Sequence, residues 1–125
     1  MVDYRVLLVD DEEEFVSALS ERLMLRGIEV DTALNGEEAL AIMVEKAFEV
    51  VILDVMMPGL SGLEVLKQIK TTHANTQVIL LTGHGATREG IEGMRLGAFD
   101  YLIKPVDIEE MLQKMKEAAR TIRTD

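Results

Sequence analysis

The sequence has 125 residues, 48% apolar and 4% aromatic, with no cysteine and a formal net charge of -10 from 23 acidic and 13 basic residues. That is one domain of ordinary size with an aliphatic, methionine-rich core and no disulfide or thiol chemistry. The acidic balance argues against nucleic acid or an anionic membrane as a direct partner, and the apolar run before Asp10 is far too short for a signal peptide or a membrane span. The expectation is a soluble, cytoplasmic protein.

In chain order, Arg5-Val6-Leu7-Leu8-Val9 has a buried-strand pattern that ends at Asp10-Asp11. Glu12 to about Arg26 is expected as a helix, with Phe15, Leu19 and Leu23 at helical spacing and Gly27 as the stop. Acidic residues from Asp11 to Glu14 suit a helix N-terminus, and Glu12 to Glu14 are read as no more than that. Ile28 to Ala33 is a weaker strand. Asn35 caps the next helix with Glu38 at its N3 position, and Ala39, Leu40, Met43 and Ala47 form the apolar stripe.

Val50-Val51-Ile52-Leu53 then runs directly into Asp54 and a Pro/Gly-rich loop. An unalternating branched apolar run reads as a strand covered on both faces, as in a parallel sheet. Ser61-Gly62-Leu63-Glu64 repeats the capping signature and opens a helix to about Lys70, and Thr71 to Thr76 reads as polar loop. Val78 to Leu81 is a strand ending at Thr82. Thr87 to Leu96 is a helix expected to be the least stable, because Gly90 and Gly93 each cost about 1 kcal/mol relative to Ala in a helix interior. Tyr101-Leu102-Ile103 ends at Lys104-Pro105. Asp107-Ile108-Glu109-Glu110 opens the last helix, whose stripe is Ile108, Met111, Leu112, Met115, Ala118, Ala119 and Ile122.

Five strands alternating with five helices imply an α/β, doubly wound parallel sheet. The flavodoxin-like strand order 2-1-3-4-5 would place Asp10-Asp11, Asp54, Thr82 and Lys104 on one rim, with a crevice between strands 1 and 3. Crowded carboxylates repel one another and are relieved by a hard cation, for which Mg²⁺ is the best fit. With Lys104 as a positive charge and Thr82 as a hydroxyl donor, the set suits phosphoryl transfer onto Asp54.

Val9-Asp10-Asp11-Glu12, Leu53-Asp54-Val55-Met56-Met57-Pro58-Gly59 with Gly62, Leu81-Thr82-Gly83 and Gly97 to Pro105 together resemble the receiver domain of two-component response regulators. The resemblance covers residues 1–125 as a single chemotaxis-protein-like receiver. It implies that Asp54 accepts a phosphoryl group from a sensor histidine kinase or a histidine phosphotransfer protein. It implies that Asp10, Asp11, Asp54 and the carbonyl of Met56 hold Mg²⁺, that Thr82 and Tyr101 are switch residues, and that Lys104 contacts the phosphoryl group. The Lys104–Pro105 bond is implied to be cis. The signalling face would comprise the last strand and last two helices, with a phosphorylation-dependent homodimer through it and an output domain or protein downstream.

The Leu81 to Gly85 run resembles receivers of nitrogen-regulation and symbiosis-regulator transcription factors, which favours a piece of a longer regulator over a stand-alone receiver. An apolar Met56, two residues after Asp54, cannot orient an attacking water by a side-chain hydrogen bond, so a phosphorylated form that is not among the shortest-lived is expected. His73 and His84 are read as exposed loop residues and not as ligands. Two other functions compete with the signalling switch. One is a Mg²⁺-dependent phosphohydrolase, disfavoured because Met56 stands where its acid/base aspartate would be. The other is an interaction module that never takes phosphate, disfavoured by the full polar set.

Overall fold

Val50 to Asp54 is buried at every position in a computed structural model that describes residues 4–83 and 88–123. It forms β3, the middle strand of a five-stranded parallel sheet in the order β2-β1-β3-β4-β5. The elements are β1 (Arg5–Val9), α1 (Glu13–Met24), β2 (Glu29–Ala33), α2 (Gly36–Glu45), β3 (Val50–Asp54), α3 (Gly62–Thr72), β4 (Gln77–Thr82), α4 (Arg88–Arg95), β5 (Asp100–Ile103) and α5 (Ile108–Arg123). The doubly wound α/β architecture and strand order read from the sequence are those observed.

Helices on both faces explain the unalternating strands. Side chains of a strand point alternately to its two faces. Leu7, Val9, Val51, Leu53, Val78 and Leu80 pack into one layer with Met43 of α2 and with Val65, Leu66 and Ile69 of α3. Val6, Leu8, Val50, Ile52, Ile79 and Leu81 pack into the other with Leu19 and Leu23 of α1 and Met111 and Met115 of α5. Each such aliphatic, removed from water, contributes on the order of 1.5–3 kcal/mol before chain entropy is counted. The edge strand β2 is different. Glu29, Asp31 and Thr32 leave it polar, with Arg5 at 3.3 Å from Glu29 and Lys46 at 2.9 Å from Asp31, a composition that discourages pairing with another sheet.

Several local expectations shift. The stripe residue Ala47 lies beyond the end of α2 and is exposed, and Phe48 takes the buried place instead. The polar loop proposed from Thr71 begins later, because the Thr71 and Thr72 hydroxyls donate back to the carbonyls of Lys67 and Gln68 and α3 runs to Thr72. His73 is half-buried rather than exposed, with Nδ1 at 2.8 Å from Thr72 Oγ1 and Nε2 at 3.1 Å from the Met43 carbonyl oxygen, tying the ends of α3 and α2 together. Gly93 carries a packing role that propensity does not show, since a Cβ there would meet Leu80 Cδ1. Thr87 and His84 lie outside the described residues, as does the side chain of Ile122. The Lys104–Pro105 bond is cis, as the resemblance implies. Among the described residues no helix is long and apolar enough to cross a membrane.

The turn from β3 into α3 is tightly closed. The Gly62 N–H donates to the Val55 carbonyl at 3.1 Å, and Ser61 and Glu64 complete a capping box. A Cβ on Gly62 would meet the Asp54 carbonyl oxygen and would lie 2.7 Å from Val55 Cα, backbone that cannot swing aside. Gly62→Ala is therefore expected to destabilise the protein by about 2–3 kcal/mol in urea unfolding, at the upper end of overpacking costs.

Candidate functional site

Register builds the rim one residue at a time. Val9 pairs with Leu53, so Asp10 and Asp54 stand next to each other where β1 and β3 end. Asp54 pairs with Leu81 and Thr82 with Ile103, so Thr82 lies one step beyond Asp54 and Lys104 one step beyond β5. The Lys104 N–H donates to the Thr82 carbonyl at 2.8 Å, fixing that last step.

The side chains converge as this stagger requires. Carboxylate oxygens of Asp10, Asp11 and Asp54 all lie within 4.8 Å of one another. Asp10 is fully buried, Asp54 is 6% exposed and Asp11 is exposed. Lys104 Nζ lies 2.8 Å from Asp10 Oδ2, 2.9 Å from Glu12 Oε1 and 3.7 Å from Asp54 Oδ2. The backbone N–H of Glu12 donates to Asp10 Oδ1 at 3.0 Å, and that of Met56 donates to Asp54 Oδ1 at 3.2 Å. The Met56 side chain points into solvent at 68% exposure. Thr82 is buried at the β4 tip. Tyr101 is half-buried two residues before β5 ends and lines a shallow cleft of about 220 Å³ with Asp100, Ile103, Glu110 and Lys114.

Glu12 was read as an ordinary helix-start acid, and the structure corrects this, because it is a direct partner of Lys104. Phe15, read as core stripe, also places its ring 5.0 Å from the Lys104 ammonium. Nothing local announces either contact, since both partners lie about ninety residues apart along the chain from Lys104.

One lysine does not offset this much negative charge. Burial, and then the neighbouring Asp10 charge, push the Asp54 carboxyl up from 3.8 to about 6, against the opposing pull of Lys104. Burial works against the Lys104 charge, but hydrogen bonds with Asp10 and Glu12 and the charge of Asp54 outweigh it and hold the ammonium above its usual range. The same lysine hydrogen bond holds the Glu12 carboxyl below its usual value. Asp10 Oδ2 is buried, with the Lys104 ammonium as its partner. More carboxylate oxygens than one lysine can offset fit a hard cation with oxygen ligands. An acid whose folded pKa lies above its unfolded value stabilises the fold at low pH and loses that contribution as pH rises through the folded value. Metal-free protein is thus expected to lose of the order of 2–3 kcal/mol from Asp54 between about pH 4 and pH 6, at no more than about 1.4 kcal/mol per unit. Thermal unfolding across that range should show Asp54→Asn gaining on wild type as pH rises, and a constant difference between them would contradict the assignment.

Comparison with known proteins agrees with this architecture. The family model described as the response regulator receiver domain matches residues 6–116. The transcriptional regulatory protein YkoG of Bacillus subtilis, itself described as uncharacterized, is 42% identical over 115 residues, covering 92% of this chain and 50% of YkoG, so the chain spans about half the length of that relative. A response regulator receiver domain from Clostridium thermocellum superposes with a TM-score of 0.91 at 36% identity, over 97% of this chain and 98% of that one. The receiver domain of DrrB, solved in a BeF3-activated state, superposes with a TM-score of 0.85 at 37% identity, over 95% and 99% of the two chains. The chain belongs to the receiver domain family of two-component response regulators.

Proposed function

We propose that this receiver takes a phosphoryl group onto Asp54 from a phosphohistidine of a sensor kinase or histidine phosphotransfer protein, in the cytoplasm and with Mg²⁺. The observation that carries the reading is a buried Asp54 carboxylate with Asp10 and Asp11 oxygens within 4.8 Å and a lysine ammonium at 3.7 Å. Asp10, Asp11, Asp54 and the Met56 carbonyl would hold the ion. When bound, Mg²⁺ neutralises charge on the phosphoryl oxygens.

An Asp54 carboxylate oxygen forms the new O–P bond as the P–N bond to the donor imidazole breaks, and the imidazole nitrogen then takes up a proton. The Lys104 ammonium bears on a phosphoryl oxygen, and the Thr82 hydroxyl supplies a donor from the adjacent strand tip. Thr82 and Tyr101 then move together, shifting the face formed by α4, β5 and α5. A marginal α4 with Gly90 in its interior suits such a two-state element. That face controls an output domain or protein and carries a phosphorylation-dependent homodimer. YkoG, described as a transcriptional regulatory protein, supports an output in gene control. The receiver is a signalling module whose own chemistry is limited to phosphoryl uptake and slow self-dephosphorylation.

Intact mass after acetyl phosphate tests the reading. Wild type with Mg²⁺ should gain one phosphoryl mass. Asp54→Asn, or wild type with chelator, should gain none. Sustained turnover of small phosphomonoesters would favour the hydrolase instead, and no adduct under any condition would favour the interaction module. Because Met56 is exposed and apolar, Met56→Asn should lose phosphate several-fold faster than wild type, an effect of the size positioned hydrogen-bonding groups produce on proton-transfer steps or less. Equal or slower loss would contradict that role.

A further inference from the structure

Glu12 sits at the N-cap of α1, where a carboxylate ordinarily accepts from a free first-turn amide. Its side chain makes no such bond. It reaches instead to Lys104 Nζ at 2.9 Å, 92 positions along the chain. Its own N–H donates to Asp10 Oδ1, and Asp10 Oδ2 lies 2.8 Å from the same ammonium. Lys104, Asp10 and Glu12 thus close a ring. Asp54 Oδ2, at 3.7 Å, lies beyond hydrogen-bond reach of the lysine. The Phe15 ring adds a further contact from α1.

We infer that Glu12 is a positioning residue, a latch that parks the Lys104 ammonium on the α1 side of the site and is released when Lys104 turns to a phosphoryl group on Asp54. This rests on the phosphoacceptor reading of Asp54. A cation shared by Asp10, Asp11 and Asp54 competes with Lys104 for Asp10. Glu12 is then the carboxylate left to contest the ammonium with the phosphoryl oxygens. At 63% side-chain exposure, it is a weak competitor that a doubly charged group displaces.

The test compares Glu12→Gln with Glu13→Gln, which removes the same charge one residue further on, from a side chain with no ion pair to Lys104 among the described residues. Beryllofluoride is titrated by calorimetry at saturating Mg²⁺, and the Lys104 ammonium nitrogen resonance is followed in metal-free protein. Glu12→Gln should bind beryllofluoride about two- to fivefold tighter, the range open to one exposed ion pair. It should also move the Lys104 resonance, while Glu13→Gln does neither. Equal effects from both variants would reduce the result to general electrostatics and overturn the latch. Weaker binding by Glu12→Gln would overturn it too, by showing that Glu12 holds the lysine ready to react. Wild type that takes no beryllofluoride overturns the phosphoacceptor reading and the latch together. Wild type that binds, with Glu12→Gln no tighter, overturns the latch alone.

Discussion

Carboxylates forced together at a buried strand end must be compensated, and much of this molecule is arranged around that requirement. β1 and β3 are adjacent and in register, so the next residue of each is an aspartate beside an aspartate. Both are buried because the strands that carry them are covered on both faces. Water therefore cannot screen their repulsion as it would at a surface. Lys104 is the positive charge brought to them, and it arrives there because β5 is the far strand of the same sheet and ends level with Thr82, one residue before Lys104.

Compensation is incomplete, and that is chemically useful. An Asp54 carboxyl raised to about 6 belongs to a site with more negative charge than its lysine offsets. Surplus oxygen ligands of this kind suit a divalent cation. A neutral, well-satisfied strand end would be more stable and would do nothing. The cost falls on the fold, and a cation held by these oxygens would offset it.

Much of this was legible in the sequence because strand ends are local. Val50 to Leu53 signals a covered strand, and Asp54 is simply the next residue. The same logic finds Asp10, Thr82 and Lys104, and the alternation of elements gives the sheet order. What was illegible depends on distant partners. Glu12 has a sufficient local explanation as a helix-start acid, which hides its lysine across the sheet. His73 looked solvated because its partner, the Met43 carbonyl, is on another helix. Gly93 reads locally as a propensity cost, and the Leu80 side chain that requires it lies on β4. Ala47 and Phe48 exchange roles because α2 stops two residues short of where its apolar stripe suggests.

The closed turn between β3 and α3 has a mechanical consequence. Backbone at Asp54 and Val55 bears directly on Gly62, and a capping box pins the residues that follow. A strain originating at Asp54 meets a stop in that direction. On the other flank, a Cβ on Gly83 just past Thr82 would meet nothing within 4 Å among the described residues. The helix beyond it, α4, has eight residues, two of them glycines. The backbone beside Asp54 is thus crowded on the α3 side and, among the described residues, open at Gly83 on the β4 side. Supports this unequal would steer any displacement at the strand end away from the crowded side, much as a door is steered by the edge that carries the hinge.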